Sequence, residues 1–219
     1  MGPVWASLVP VSVMMSPRMR LERTRVCVVA TAGHDIDEWA RSCHALAHAG
    51  AGMIHLSLAD HDAPASQVNA YLDAARMVVG NTLVAAREPL DLEVRADVVH
   101  LSEVGQRDRW PSRLVGCTVA NEAEANAALE AEMDYLVADG SIEGLAEHQQ
   151  SLKASYPDLI WFASGPTCLD EVVQASEQGA RRILVVDPRP EDVTAYSNHL
   201  RSLTRRRREG PLIGWSQSL

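Results

Sequence analysis

Eight short apolar runs, each followed by polar stretches or by segments with helical spacing, constrain this chain more than any other feature. The runs are Arg25–Ala30, Met53–Leu58, Asn81–Ala86, Ala96–Leu101, Leu114–Val119, Tyr135–Ala138, Leu159–Ala163 and Arg182–Val186. Most are rich in Val, Ile and Leu and apolar nearly throughout, as strands covered on both faces are. Helix signals fall between them. Asp35 and Glu38 have N-cap and N3 spacing for a helix through Ala49, Asn121 and Glu124 repeat that spacing, and Thr167 with Asp170 is read as a third cap. Ala65–Met77 carries helical periodicity, a short helix fits around Pro89–Val94, and Glu191–Arg208 closes the chain helically.

Strands that alternate with helices in this way imply a parallel sheet with covered faces, and eight of them in 219 residues imply closure. The expected fold is therefore a (β/α)8 TIM barrel. It forms one domain over residues 23–208, between a flexible arm at 1–22 and a tail at 209–219. An open dinucleotide-binding sheet would need G-x-G-x-x-G after the first strand, and none occurs.

Composition narrows the functional classes. No run approaches the roughly 18 apolar residues of a membrane span, so no membrane partner is expected. The apolar patch Leu8–Met15 lacks a preceding Lys or Arg and a following cleavage site, which points to a cytoplasmic protein, with Met19 as an alternative start. Cys27, Cys43, Cys117 and Cys168 are scattered and form no C-x-x-C pair, so they read as reduced thiols on strands and helices. The net charge is −9, and Arg201 with Arg205–Arg208 holds five of the 20 basic residues. Nucleic acid is a poor partner for the acidic remainder, and the arginine run reads as a solvated helix face. Lys153 is the only lysine and precedes the seventh strand, which closes Schiff-base aldolase chemistry. No G-x-S-x-G, H-E-x-x-H or P-loop pattern is present. A cofactor or metal is not expected, and a homo-oligomer is an allowed state.

The tract Ala96-Asp-Val-Val-His-Leu-Ser-Glu103 resembles the A-D-G-V-H-L-G-Q strand of the thiamine phosphate synthase and thiazole tautomerase (TenI) family. Leu114-Val-Gly-Cys-Thr-Val-Ala-Asn-Glu-Ala-Glu-Ala125 is similar to that family's I-G-x-S-V-H-s-x-E-E-A segment, and Asp134-Tyr-Leu-Val to its A-D-Y-I strand. Order and spacing agree, and the resemblance extends over roughly residues 25 to 190. It implies the same barrel, with a site at the carboxyl ends of the strands.

Strand alternation puts His55 with Ser57, His100 with Ser102, and Thr118 with Ala120 on common faces, which the resemblance turns inward. It also locates losses. The resemblance puts Ser57 and Ala59 where the synthases hold pyrophosphate with Arg and Lys, Ala85-Ala86 where their third strand ends in N-D, and Gly105 at the acid after the fourth, the two aspartates being the magnesium ligands. Ala120 replaces the histidine on which the tautomerases depend. His55 and His100 are the remaining candidate general bases. The family's phosphate turns correspond to Ser164-Gly165 and Val186-Asp187, so Asp187 puts a carboxylate where phosphate would sit, and Asp139 replaces a glycine. With Asp60, Asp62 and Glu103 nearby, the mouth reads as acidic. Ser57, Ser102, Thr118, Asp139, Ser164, Gly165 and Asp187 are thus the candidate ligand-binding set.

Three readings follow. The first is a diverged enzyme of the thiamine group that acts by proton transfer on a small heterocyclic molecule, without magnesium-dependent synthase activity. The second is a non-catalytic barrel that binds a ligand or a partner. The third is an intact synthase using substituted residues.

Overall fold

The computed structural model describes residues 15–60, 63–87, 93–102, 104, 107–139 and 158–208. Its strands are β1 (Val26–Ala32), β2 (Met53–Leu58), β3 (Leu83–Arg87), β4 (Val98–Leu101), β5 (Leu114–Val119), β6 (Tyr135–Ala138), β7 (Trp161–Ser164) and β8 (Ile183–Val186). Each pairs in parallel with the next and β8 pairs with β1, so the sheet is a closed barrel, as expected. The described α-helices are α1 (Pro17–Arg23), α2 (Ile36–Ala49), α3 (Ala65–Val79), α4 (Glu122–Glu130), α5 (Leu169–Glu177) and α6 (Pro190–Arg208).

Alternation along each strand sorts the apolar residues into two kinds of core. Cys27, Val29, Met53, Leu83, Ala85, Val98, Tyr135, Val137, Phe162 and Leu184 fill the barrel interior. Their neighbours, such as Val28, Ile54, Val84 and Val185, face outward and pack under α2, α3 and α6 through Trp39, Leu72 and Leu200. Burial on both faces is why the strands read as continuous apolar runs.

Two expected helix caps form. Asp35 accepts hydrogen bonds from the N–H groups of Asp37 and Glu38, and Asn121 accepts from Glu124 N–H. The third differs. Cys168 is the N-cap of α5 and its side chain caps nothing, because the carboxylate of Glu171 reaches back to Thr167 instead. Cys168 is also exposed, whereas the other three cysteines are buried; all four are free thiols.

Several strand ends shift from their expected places. β4 begins at Val98 because Asp97 leaves the strand to act locally: its carboxylate accepts from Val84 N–H at 3.1 Å and pairs with Arg76 at 3.1 Å. β1 and β3 run further than expected, to Ala32 and Arg87. Part of the segment expected as a flexible arm has regular structure. Pro17–Arg23 is a helix, started by Ser16, whose hydroxyl accepts from Met19 N–H, and its Leu21 is fully buried in the interior cluster. That leucine closes the amino-terminal end of the barrel. Residues 1–14, the tail at 209–219 and most of the segment expected as a helix around Pro89–Val94 lie outside the described residues, as do Asp62, Glu103, Gly105 and Lys153. Among the described residues no helix is long and apolar enough to cross a membrane.

Candidate functional site

Barrel closure brings the candidate residues together at one end. Ser57, Thr118 and Ser164 lie within the last two positions of their strands, and Ser102, Asp139, Gly165 and Asp187 follow the ends of theirs. Val186 shares the inward face of β8 with buried Leu184 yet is 64% exposed, so this side of the mouth is open to solvent.

Beneath the mouth lies a polar layer in an otherwise apolar interior. In the ladder register Arg87 pairs with His100, His100 with Gly116 and Gly116 with Tyr135, which sets these residues side by side around the wall. His55 joins them, its ring centroid 5.2 Å from that of His100. The Tyr135 hydroxyl is 3.0 Å from His100 Nδ1 and 3.5 Å from His55 Nε2, and His100 Nε2 is 2.9 Å from Thr118 Oγ1. One proton arrangement serves these contacts: Tyr135 donates to His100 Nδ1, His100 Nε2–H donates to Thr118, and His55 Nε2–H donates weakly to Tyr135. His55 Nδ1 is then a buried acceptor without a partner.

This layer is built to stay neutral. Burial lowers the His100 pKa to about 3 and that of His55 well below its ordinary value. The charge of Arg87 acts on both in the same direction, and His100 disfavours a charge on His55. Burial holds the Tyr135 phenol protonated, far above its ordinary range. Both histidines have no exposed surface. As general bases near neutral pH, the role for which they were candidates, they would be weak. Thr118, read as a ligand contact, accepts from His100 in this arrangement and keeps its own O–H to donate.

Arg87 is the residue that sequence reasoning missed. It sits on the face of β3 that carries Leu83 and Ala85, so it points inward at the mouth, half-buried. Among the described residues it makes no hydrogen bond or ion pair. Its signal was present in the alternation Leu83, Ala85, Arg87, but the strand was expected to end at Ala86.

The opposite side, at β7 and β8, has carboxylates on its backbone donors. Glu171 accepts from Thr167 N–H at 2.6 Å and from the Thr167 hydroxyl at 2.9 Å, and hydrogen bonds from Thr167 and Cys168 lower its pKa. Asp187, at φ +45°, accepts from Thr31 N–H at 2.7 Å and from the Thr31 hydroxyl at 2.9 Å. Gly165 keeps a left-handed turn at φ +109°. Two of the chain's own anions therefore occupy donors beside the turns to which the resemblance assigned phosphate. Among the described residues no group of three or more His, Cys, Asp and Glu gathers as a metal site.

Comparison with protein-family models and with curated proteins found no match. Solved structures do match. Thiamine phosphate pyrophosphorylase from Pyrococcus furiosus aligns with a TM-score of 0.65 at 21% identity, covering 86% of this chain and 98% of that one. This is a likeness of fold. The 2-keto-3-deoxy-6-phosphogluconate aldolase of Zymomonas mobilis, with a TM-score of 0.59 and 14% identity, covers 85% of this chain and 95% of its own. (S)-3-O-geranylgeranylglyceryl phosphate synthase from Thermoplasma acidophilum reaches 0.63 at 10% identity, covering 87% and 98%. Barrels of different chemistries thus align about equally well, so the site must speak for the function.

Proposed function

We propose that this chain is a diverged barrel of the thiamine phosphate synthase and tautomerase type that binds a small heterocyclic molecule at its mouth and does not carry out magnesium-dependent synthase chemistry. The observation that carries this reading is the pair of carboxylates, Glu171 and Asp187, engaged with backbone donors on the β7 and β8 side. A phosphate there would meet two like charges. The Arg87 guanidinium across the mouth favours a ligand with one anionic or strongly accepting group. The neutral layer of His55, His100 and Tyr135 then serves as a polar floor. Binding without turnover is favoured over proton transfer, because neither imidazole is exposed. The free thiols accord with a cytoplasmic location.

Purified protein is expected to form no thiamine phosphate from a pyrimidine pyrophosphate and a thiazole phosphate in the presence of magnesium. Ser57, Ala59 and Ala86 offer neither the cations nor the carboxylate that this coupling uses. Turnover above a mock purification from the same host would defeat this expectation.

The ligand preference has its own test. Isothermal titration of wild type should show tighter binding of a thiazole alcohol than of its phosphate ester. Asp187→Ser frees Thr31 N–H and removes one negative charge, and should improve binding of the phosphate ester by about tenfold. Wild type that already prefers the phosphate ester, or a substitution without effect, would rule the proposed corner out.

A further inference from the structure

At the opposite end of the barrel a cavity of about 330 Å³ opens between α1, α6 and the turns that lead into β1, β2 and β3. Four arginines line it: Arg20, Arg23, Arg25 and Arg201. The volume suits a small metabolite, and such a concentration of cations is unexpected on a chain of net charge −9.

The cations are poorly neutralised. Arg20 lies 4.0 Å from Asp97, an acid already paired with Arg76, and its Nε is buried without a partner. Arg23 donates to the thioether of Met15, a weak acceptor. Arg25 donates to a backbone carbonyl, that of Glu22, and burial lowers its pKa. Its charge also bears on neighbouring Arg182, whose pKa burial lowers to about 10. Among the described residues none of Arg23, Arg25 and Arg201 meets a carboxylate.

A second kind of observation comes from Ser197. This lining residue is only 2% exposed, and its hydroxyl is buried without a hydrogen-bond partner. The hydroxyl lies against Gly50, where a Cβ would stand 2.7 Å from it and 3.6 Å from the Arg201 guanidinium. Gly50 has φ +111°, so the helix-ending turn requires glycine, and that turn leaves this wall bare. Guanidinium groups that meet only a thioether, a carbonyl and one distant, already paired carboxylate, beside an unsatisfied hydroxyl, form a donor-rich set, which is the complement of an oxyanion.

We propose that this cavity is a binding site for a small polyanion bearing two or more negative charges, of the phosphorylated-metabolite class, separate from the barrel mouth. Donors come from α1, α6 and the chain entering β1, so an occupant would tie the first and last described helices to the barrel floor. Binding here would stabilise the fold by mass action.

The test uses the full-length protein and inorganic pyrophosphate as probe, without divalent metal, followed by isothermal titration with sodium chloride of matched ionic strength as control. Saturable binding is expected. Arg201→Glu and Arg23→Glu, both at exposed positions, should each weaken it by at least about tenfold. Ser197→Ala, which leaves the charge unchanged, should weaken it by about threefold. Arg189→Glu, a reversal of an arginine paired elsewhere with Asp192, and Arg87→Gln at the mouth should leave it within about twofold. Absence of saturable binding to wild type would overturn the proposal, as would equal losses in Arg201→Glu and Arg189→Glu. A loss confined to Arg87→Gln would also overturn it, placing the anion at the mouth and leaving the reading of that site intact.

Discussion

Lowering the pH from 7.5 to 5 is expected to reduce the unfolding free energy of this protein by about 4 kcal/mol through His55 and His100. An unfolded histidine titrates near 6.5, whereas burial holds His100 at about 3 and His55 well below its ordinary value. Between those limits the unfolded chain binds protons that the folded chain refuses. The stabilisation is therefore complete above roughly pH 7 and is lost as the pH falls below 6.5. At pH 5 each histidine lies about 1.5 units below its unfolded pKa, which amounts to about 2 kcal/mol apiece. Urea denaturation at pH 7.5 and 5.0 measures the loss. The double variant His55→Leu, His100→Gln should show a much shallower pH dependence at the cost of a lower midpoint at pH 7.5. Equal slopes for wild type and variant would mean that the two rings take up protons without unfolding.

The second large effect is expected at Gly116, where alanine should cost about 3 kcal/mol or more. Backbone strain is not the reason, since Gly116 has no left-handed φ. A Cβ added there would overlap the Tyr135 ring on the adjacent strand. Tyr135 has little room to retreat. It is fully buried, stacks edge-on against Phe162 with ring centroids 5.8 Å apart, and shares its hydroxyl with His100. Guanidinium denaturation of Gly116→Ala, Tyr135→Leu and the double variant gives the coupling between the two positions. The double variant should be more stable than the sum of the single effects predicts. Strict additivity would show that the ring is not what Gly116 accommodates.

Much of the barrel was legible because its signals are local. Asp35 before Ile36–Ala49 and Asn121 before Glu122–Glu130 act within one helical turn, and three of the eight strands, β2, β5 and β6, begin and end where the apolar runs do. Boundaries failed where a carboxylate takes a partner that spacing alone does not single out. Asp97 looks like part of an apolar strand until its hydrogen bond to Val84 N–H is seen. Thr167 looks like a cap until Glu171 takes its hydroxyl. Asp187 was legible as an acid just past the eighth strand, but its engagement with Thr31, 156 residues away in sequence, was not.

The sequence by itself determined the closed parallel fold and the order of its strands and helices. Strand periodicity and helix capping are properties of neighbouring residues, so composition and spacing suffice for them. Only the tertiary structure decided that His55 and His100 are neutral and unexposed, that Arg87 faces the mouth, and that Leu21 closes the floor beside a cavity lined by arginines. A pKa depends on burial and on charges brought near by folding, and a cavity depends on which side chains fail to meet. Those quantities arise when strands distant in sequence become neighbours in the ladder.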